Sequence, residues 1–362
     1  MLKIQSRWCD ICLHGFKLEK AYLKHRSICK KNIDPTTLYK MPEEQYTKFD
    51  DWKKIIKKPF VIYADLESLL VPDDKFDKRH EPLAAAGVLI HNDTVDEYAA
   101  FHGVGCITKF LTWVEKMATE KVYPYYSKIV PMTPLTLDEE ALFHNTNTCY
   151  LCHKVSSLLC HDHDHFTGEY LGAACCKCNL SRKVKPSLQI VFHNLKGYDM
   201  HHLLKYAFCD FPKWTFSAIP ISTEKFLTIT AFSEEKMKLM FIDSYQFLSA
   251  SLSNLTKSLD AFPLTSTVFH TNIIKGKGIF PYEMATSVED LENITSLPSK
   301  WSDSINDEDY SHAKTVWTQT NCRNLLDYMH VYLKLDVFLL ADVFEKFRIK
   351  SMAEDGLEPL AF

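Results

Sequence analysis

Apolar and polar positions along the chain fall into phases of different period. From Phe60 the run FVIYADLE is rich in β-branched and aromatic residues, and AAAGVLIHND and VDEYAAF follow it. These read as strands, the last two joined through an Asn-Asp turn. Residues 107–121 (ITKFLTWVEKMATEK) show helical spacing. Beyond residue 185, QIVFHNL reads as a strand, YDMHHLLKYAF as a helix, and FLTITAF and KLMFIDS as two more strands, with the β-rich phase ending near Tyr245. Residues 281–310 are acidic and loop-like, and 323–350 predict a long amphipathic helix. Strands interleaved with helices predict an α/β class. No internal repeat is visible.

Two stretches lack either period. Residues 9–30 form a compact Cys/His module, and a second Cys/His cluster fills 149–185 as if inserted. A polar, Pro-punctuated connector separates the first module from Phe60. The expected organisation is therefore a zinc-finger module over 1–31, a linker over 32–58, a main domain over 59–350 interrupted by 149–185, and a tail over 351–362.

Composition narrows the class. With 46% hydrophobic and 24% charged residues, and only 10 Gly and 15 Pro in 362 residues, the chain is neither collagen-like, low-complexity nor wholly disordered. The longest apolar stretches, such as Ala84–Ile90, are far short of the roughly 20 residues that cross a bilayer, so no membrane partner is expected. The start, MLKIQSRWCD, has no apolar core of a secretory signal. An intracellular location, nuclear or cytoplasmic, is the expectation, and there twelve cysteines point to metal or free thiols rather than disulfides. Residues 1–60 carry fourteen Lys/Arg against seven Asp/Glu, so the net charge of -4 hides a head of about +7 suited to phosphates.

Three acidic features carry candidate chemistry. Asp65 and Glu67 lie two apart at the end of a predicted strand and emerge on one face. Two carboxylates so placed repel unless a divalent cation neutralises them; taken alone, a solvent-facing pair is the simpler reading. Asp199 opens a helix just after a strand, where helix capping would suffice. Tyr332 and Asp336 are four apart on a helix and share a face.

In combination these motifs resemble the 3′-to-5′ exonuclease domain of B-family DNA polymerases. DLE at 65–67, HNLKGYD at 193–199 and YLKLD at 332–336 look like its three exonuclease motifs. FHNLKGYDMHHLL, FIDSYQFLSASLSNL, KGIFPYE and YLKLDVFLLADVFEKF are similar to the protein-primed viral, organellar and transposon type, over about residues 59–348. The resemblance implies a ribonuclease H-like exonuclease domain in which Asp65, Glu67, Asp199 and Asp336 hold two Mg²⁺ or Mn²⁺ ions. It further implies that Tyr332 orients the attacking water, that Asn194 and Tyr198 contact the DNA end, and that single-stranded 3′ ends are the substrate. No Tyr-x-Asp-Thr-Asp run occurs, so no palm is expected in this chain, which would not extend a primer by itself. A separate polymerase-domain chain is a conceivable partner.

Zinc is expected twice. Cys149-x2-Cys152 and Cys175-x2-Cys178 have the spacing of a tetrahedral structural site. Cys9-x2-Cys12-x12-His25-x3-Cys29 has finger spacing, with Phe16 and Leu23 where such a finger puts its small core. Lys17, Lys20, Lys24 and Arg26 favour phosphate contact there, with a protein-binding finger as the other reading. Between the second pairs, CHDHDHFTGEYLGAACCKCNL resembles the endonuclease VII branch of the His-Me finger nucleases. That resemblance implies Mg²⁺ on Asp162 and Asn179 and a general base at His163. Leu171 stands where related versions place an Arg, and Cys160, His161, His165 and Cys176 leave the ligand choice open. Two alternatives to the exonuclease thus stand: a zinc-stapled endonuclease, and an inactive transposon-derived protein that binds DNA or a partner.

Overall fold

The protein's structure is a computed structural model that describes residues 7–12, 14–31, 49–72, 78–197, 199–211, 213–220, 226–232, 237–270, 273–274, 276–298 and 305–361. The chain divides into two units, Met1–Asp50 and Asp51–Phe362.

In the first unit, β1 (Arg7–Trp8) pairs antiparallel with β2 (Gly15–Phe16), and α1 (Glu19–Lys31) follows. No residue of α1 is buried. Its inner face is held instead by Phe16, whose ring packs 4.7 Å from His25 and 6.1 Å from Tyr22. Leu23, expected in this small core, is exposed. One residue on from Tyr22, it is turned about 100° around the helix.

The second unit is built on a mixed sheet. β3 (Phe60–Pro72), β4 (Lys78–His91) and β5 (Thr94–His102) form an antiparallel meander. Asn92 and Asp93, with φ of 46° and 66°, make the tight β4–β5 turn, a conformation these two residue types tolerate. α2 (Cys106–Met117) runs through a π-helical turn at Ala118–Val122 into α3 (Tyr123–Ser127), and α4 (Leu137–Asn145) follows. The small hairpin β6 (Leu159–His163) and β7 (Tyr170–Cys175) leads into α5 (Cys176–Ser181). The main sheet resumes with β8 (Ser187–Phe192), then α6 (Asp199–Asp210), β9 (Thr215–Pro220), β10 (Phe226–Phe232) and β11 (Lys238–Asp243). Helices α7 (Leu252–Thr256), α8 (Val288–Asn293), α9 (Asp307–Gln319) and α10 (Leu325–Glu354) complete it. The strand order is β5-β4-β3-β8-β11-β10-β9, with β8 parallel to both β3 and β11. The expected α/β class is what this sheet and its helices form.

Alternation along β3 divides the core. Val61, Tyr63 and Leu69 face α10, while Phe60, Ile62, Ala64 and Leu66 face α2 and α6. Gly87 lets α2 approach closely: a Cβ there would lie 2.8 Å from the Trp113 ring. The helix predicted over 323–350 is present but not amphipathic in its middle. Every residue from Leu335 to Glu345 is buried, because α10 is enclosed by the sheet on one side and the loops and helices of 252–325 on the other.

Residues 32–48 of the expected linker lie outside the described residues; residues 49–58 and the tail contribute packed groups. Trp52–Ile55 forms a 3₁₀ turn whose Trp52 and Ile55 pack on the cysteine module. Pro359 and Leu360 are buried, and the backbone N–H of Glu358 donates to the Lys54 carbonyl at 2.8 Å. The Glu358 carboxylate, fully buried, accepts from Arg348 at 2.7 and 3.1 Å and from the Lys58 backbone at 2.9 Å. Arg348 also donates to Glu345 at 2.6 Å and to the Lys58 carbonyl at 2.7 Å. Removing one partner from such a network strands a buried charge. Glu358→Ala is therefore expected to destabilise this unit by about 3–5 kcal/mol, read as a lower urea midpoint, whereas Tyr63→Phe, which deletes one hydrogen bond to Glu345, should cost about 1 kcal/mol.

Candidate metal centres

Asp65 and Glu67 continue the side of β3 that carries Val61 and Tyr63, and so point at α10. The strand does not end at this pair; it runs on to Pro72, with a register shift against β4 between Glu67 and Ser68. Strand and helix are antiparallel in register. Tyr63 donates to Glu345 at 2.6 Å, and four residues further along β3 Glu67 meets Asp336, nine residues back along α10. The two separations match, at roughly 13 Å each. Asp65, Glu67 and Asp336 each offer an oxygen such that all three lie within 4.8 Å of one another. A cavity of about 710 Å³ opens onto Asp65, Glu67, Lys277 and Tyr332.

Burial makes this cluster electrostatically expensive. Asp336 is 0% exposed, and neither of its carboxylate oxygens has a well-directed hydrogen bond. Lys277 supplies an ion pair instead, with Nζ 2.7 Å from Oδ2. Burial pushes the Asp65 carboxyl up to about 7, against the pull of Lys277 and with the help of Asp336. Glu67 is raised by burial and by both neighbouring aspartates, and Asp336 is raised by burial against Lys277. Burial alone would lower the Lys277 ammonium; Asp336 and Asp65 outweigh it and keep the group charged. Tyr282 donates to Glu67 at 2.8 Å, and its oxygen lies 3.5 Å from that of Tyr332. Burial and the nearby acids raise both phenols, which stay protonated. Three carboxylates against one ammonium, with unsatisfied oxygens converging, fit a hard divalent cation.

Asp199 is buried at the head of α6 but lies outside that triad. Burial first, then Asp65 and Asp243, raise its carboxyl, which places it within electrostatic reach of Asp65. The segment leading to it is fixed by Asp243, the last residue of β11. Asp243 is buried and accepts backbone N–H groups from Asn194 at 2.9 Å, Lys196 at 3.1 Å and Tyr245 at 3.0 Å. Asn194 is exposed, with a left-handed φ of 66°. Tyr198 lies outside the described residues.

Lys277, Tyr282 and Asp243 were not singled out by spacing. A lone lysine in a loop carries no period; only the compact stretch KGIFPYE and the strand-end acid of FIDS marked their places. Gly278 matters beside Lys277, since a Cβ there would come 3.3 Å from the Tyr332 ring.

Both cysteine sets converge. Cys149, Cys152, Cys175 and Cys178 place their sulfurs within 4.8 Å of one another, and Cys152 and Cys175 are 4.0 Å apart. Thiolates around tetrahedral zinc stand roughly 3.8 Å apart, given Zn–S bonds of about 2.3 Å. His165 is not in this group. Burial would raise the Cys149 thiol, but the backbone N–H groups of Cys152, Cys175 and Leu151 bring it down to about 7. In the first unit Cys9, Cys12, His25 and Cys29 likewise converge, with Cys12 Sγ 3.1 Å from His25 Nε2. Both sets could hold zinc.

The endonuclease-type residues are arranged differently from the resemblance. Asp162 is buried and accepts from Tyr150 at 2.7 Å and Arg182 at 2.8 Å, so a guanidinium sits where a cation was expected. Asn179 turns its amide to Cys160, 3.3 Å away. His163 stacks on His165 with ring centroids 4.7 Å apart; burial and His165 lower its pKa, so it is neutral near pH 7. It lines a cavity of about 300 Å³ together with Arg182 and Lys183.

An acidic triad in an α/β framework, in a chain that also carries two convergent cysteine sets, defines a candidate metal-dependent protein. Residues 181–354 match the family of DNA polymerase type B, organellar and viral. The match takes in Asp199, Tyr332 and Asp336, while Asp65 and Glu67 lie before it. No curated protein and no solved structure matches the chain. The family implies DNA binding. Among the described residues, no helix is long and apolar enough to cross a membrane.

Zinc titration of metal-free protein is expected to show two tight equivalents. Cys12→Ser and Cys152→Ser should each abolish one, and cobalt substitution should show thiolate absorption that halves, at least approximately, in either variant. A stoichiometry unchanged by these substitutions would refute the ligand sets.

Proposed function

We propose that the chain is a metal-dependent nuclease that removes nucleotides from 3′ ends of DNA, on a ribonuclease H-like domain of the type B polymerase family. The observation that carries this reading is the convergence of Asp65 and Glu67 from β3 with Asp336 from α10, in a buried place that opens to a large cavity. The antiparallel β3-β4-β5 meander continued by parallel β8 and β11 supports the architecture.

The carboxylates of Asp65, Glu67 and Asp336 would hold Mg²⁺ or Mn²⁺, with Asp199 contributing from α6. Such ions supply a water nucleophile at neutral pH and neutralise charge on the phosphodiester oxygens. The chain's own groups do the rest. Tyr332, protonated and fixed by Phe280 and Tyr282, donates a hydrogen bond that orients the attacking water. Lys277 holds positive charge against the triad and faces the phosphate. Asn194, exposed on the loop fixed by Asp243, contacts the DNA end. Unpaired bases suit a cleft that the scissile phosphate must enter. A polymerase-domain chain is the protein partner consistent with this role.

The β6–β7 hairpin, α5 and the cavity at His163 favour a second reading, a zinc-stapled endonuclease with His163 as general base. The two separate in one experiment. A 5′-labelled single-stranded oligonucleotide with Mn²⁺ should shorten stepwise from its 3′ end, and Asp336→Ala or Asp199→Ala should slow this by more than ~100-fold, beyond the roughly 10–100-fold that outer-sphere changes cost at metal sites. Internal cuts lost only in His163→Ala would move the chemistry to the cysteine module. Absence of metal-dependent product from folded, metal-loaded protein would overturn both and leave a binding protein.

A further inference from the structure

The first unit carries a charge arrangement that the nuclease reading does not use. Between Arg7 and Lys31 the acidic residues are Asp10 and Glu19. Each is already paired: Glu19 with Arg7 at 3.0 Å and Asp10 with Arg26 at 2.8 Å. Both arginines are therefore spent inside the module. Lys17, Lys20, Lys24 and Lys31 are exposed and make no ion pair among the described residues.

Three of these lysines share one face. Tyr22, His25 and Cys29, spaced i, i+3 and i+7, are the half-buried residues of α1 and turn toward Phe16 and the candidate metal. At 100° per residue, Lys20, Lys24 and Lys31 fall within roughly 40° of one another on the opposite side, along about 16 Å of helix. Ser27 fills the gap between them. Exposed Leu23 and Ile28 flank this stripe, one on each side, and leave it purely cationic.

We infer that the lysine face of α1 is a nucleic-acid-backbone contact, separate from the carboxylate cleft and independent of whether that cleft cuts. A protein partner would be met by an apolar or aromatic centre with charge at its rim; here the centre is charge alone. A membrane surface would need the opposite side of the helix to be apolar and free, and that side is occupied by the metal ligands. Double-stranded DNA, with one phosphate charge per ~1.7 Å of axis, offers partners along the whole stripe. Without base-edge groups such as Asn or Gln on this face, binding is independent of sequence and set by salt.

The test uses the full, zinc-loaded chain without Mg²⁺ or Mn²⁺ and follows anisotropy of a labelled DNA duplex across a KCl series. Lys20→Gln, Lys24→Gln and Lys31→Gln combined should reduce the slope of log K against log salt by about 2–3, at ~0.9 for each phosphate no longer neutralised, and weaken binding by about tenfold or more at low salt. The same three changed to Arg should keep both. Zinc content confirms that each variant is folded at the module. Equal weakening in the Gln and Arg variants, or none in either, overturns the proposal, as does an unchanged duplex slope accompanied by abolished binding to anionic lipid vesicles. Cleavage is read on Asp336→Ala with metal and the salt slope on the three lysines without it, so failure of the nuclease reading and failure of this one are read separately.

Discussion

Acidic oxygens this close together can be buried only with a countercharge, and the second unit is arranged around that requirement. Asp65 and Glu67 arrive on a strand, Asp336 on a helix, and Lys277 on a loop, from parts of the chain some 270 residues apart. Nothing local holds them together. What does is the register of β3 against α10, fixed at one end by Tyr63 on Glu345 and at the other by the triad with its lysine. The same buried helix that forms the centre of one core cluster therefore also sets the spacing of the carboxylates. Packing and charge placement are one constraint here: a helix turned by a single residue would lose both.

The loop before Asp199 is handled by a different device. Its backbone is pinned to a buried carboxylate rather than to a neighbouring strand: the N–H groups of Asn194 and Lys196 converge on Asp243, which also holds the N–H of Tyr245. That arrangement lets the chain leave β8, adopt a left-handed residue at Asn194, and still begin α6 at a defined point. His193 adds to it, bonded to Ser244 at 2.8 Å and to the Ala250 carbonyl at 3.0 Å.

Much of this was legible in the sequence because it rests on short-range patterns. Strands β3, β4, β5, β10 and β11 follow from alternation and turn residues, and both cysteine sets from spacing alone. β9 was missed because TFSAIP is short and offers little alternation. α4 was also missed, although Thr136 and Glu139 form a capping box that is visible as T-x-x-E. The predicted amphipathicity of α10 failed for a tertiary reason: a helix covered on all sides needs no polar face, and its buried Asp336, Asp342 and Glu345 mimic one. Lys277 and Tyr282 were illegible as site residues because their meaning is electrostatic and arises only once distant carboxylates have been assembled. Trp52 and Glu358 look like linker and tail in composition, and only the packed structure gives them partners.

The buried contact between Lys54 and Glu358 has a consequence for stability. Lys54 and Lys58 are joined to Glu358, about 300 residues further along, by two hydrogen bonds and a shared guanidinium. Peeling away either stretch strands a buried charge on the other, so the two open together or not at all. They behave as one cooperative latch in local unfolding, however far apart they stand in sequence.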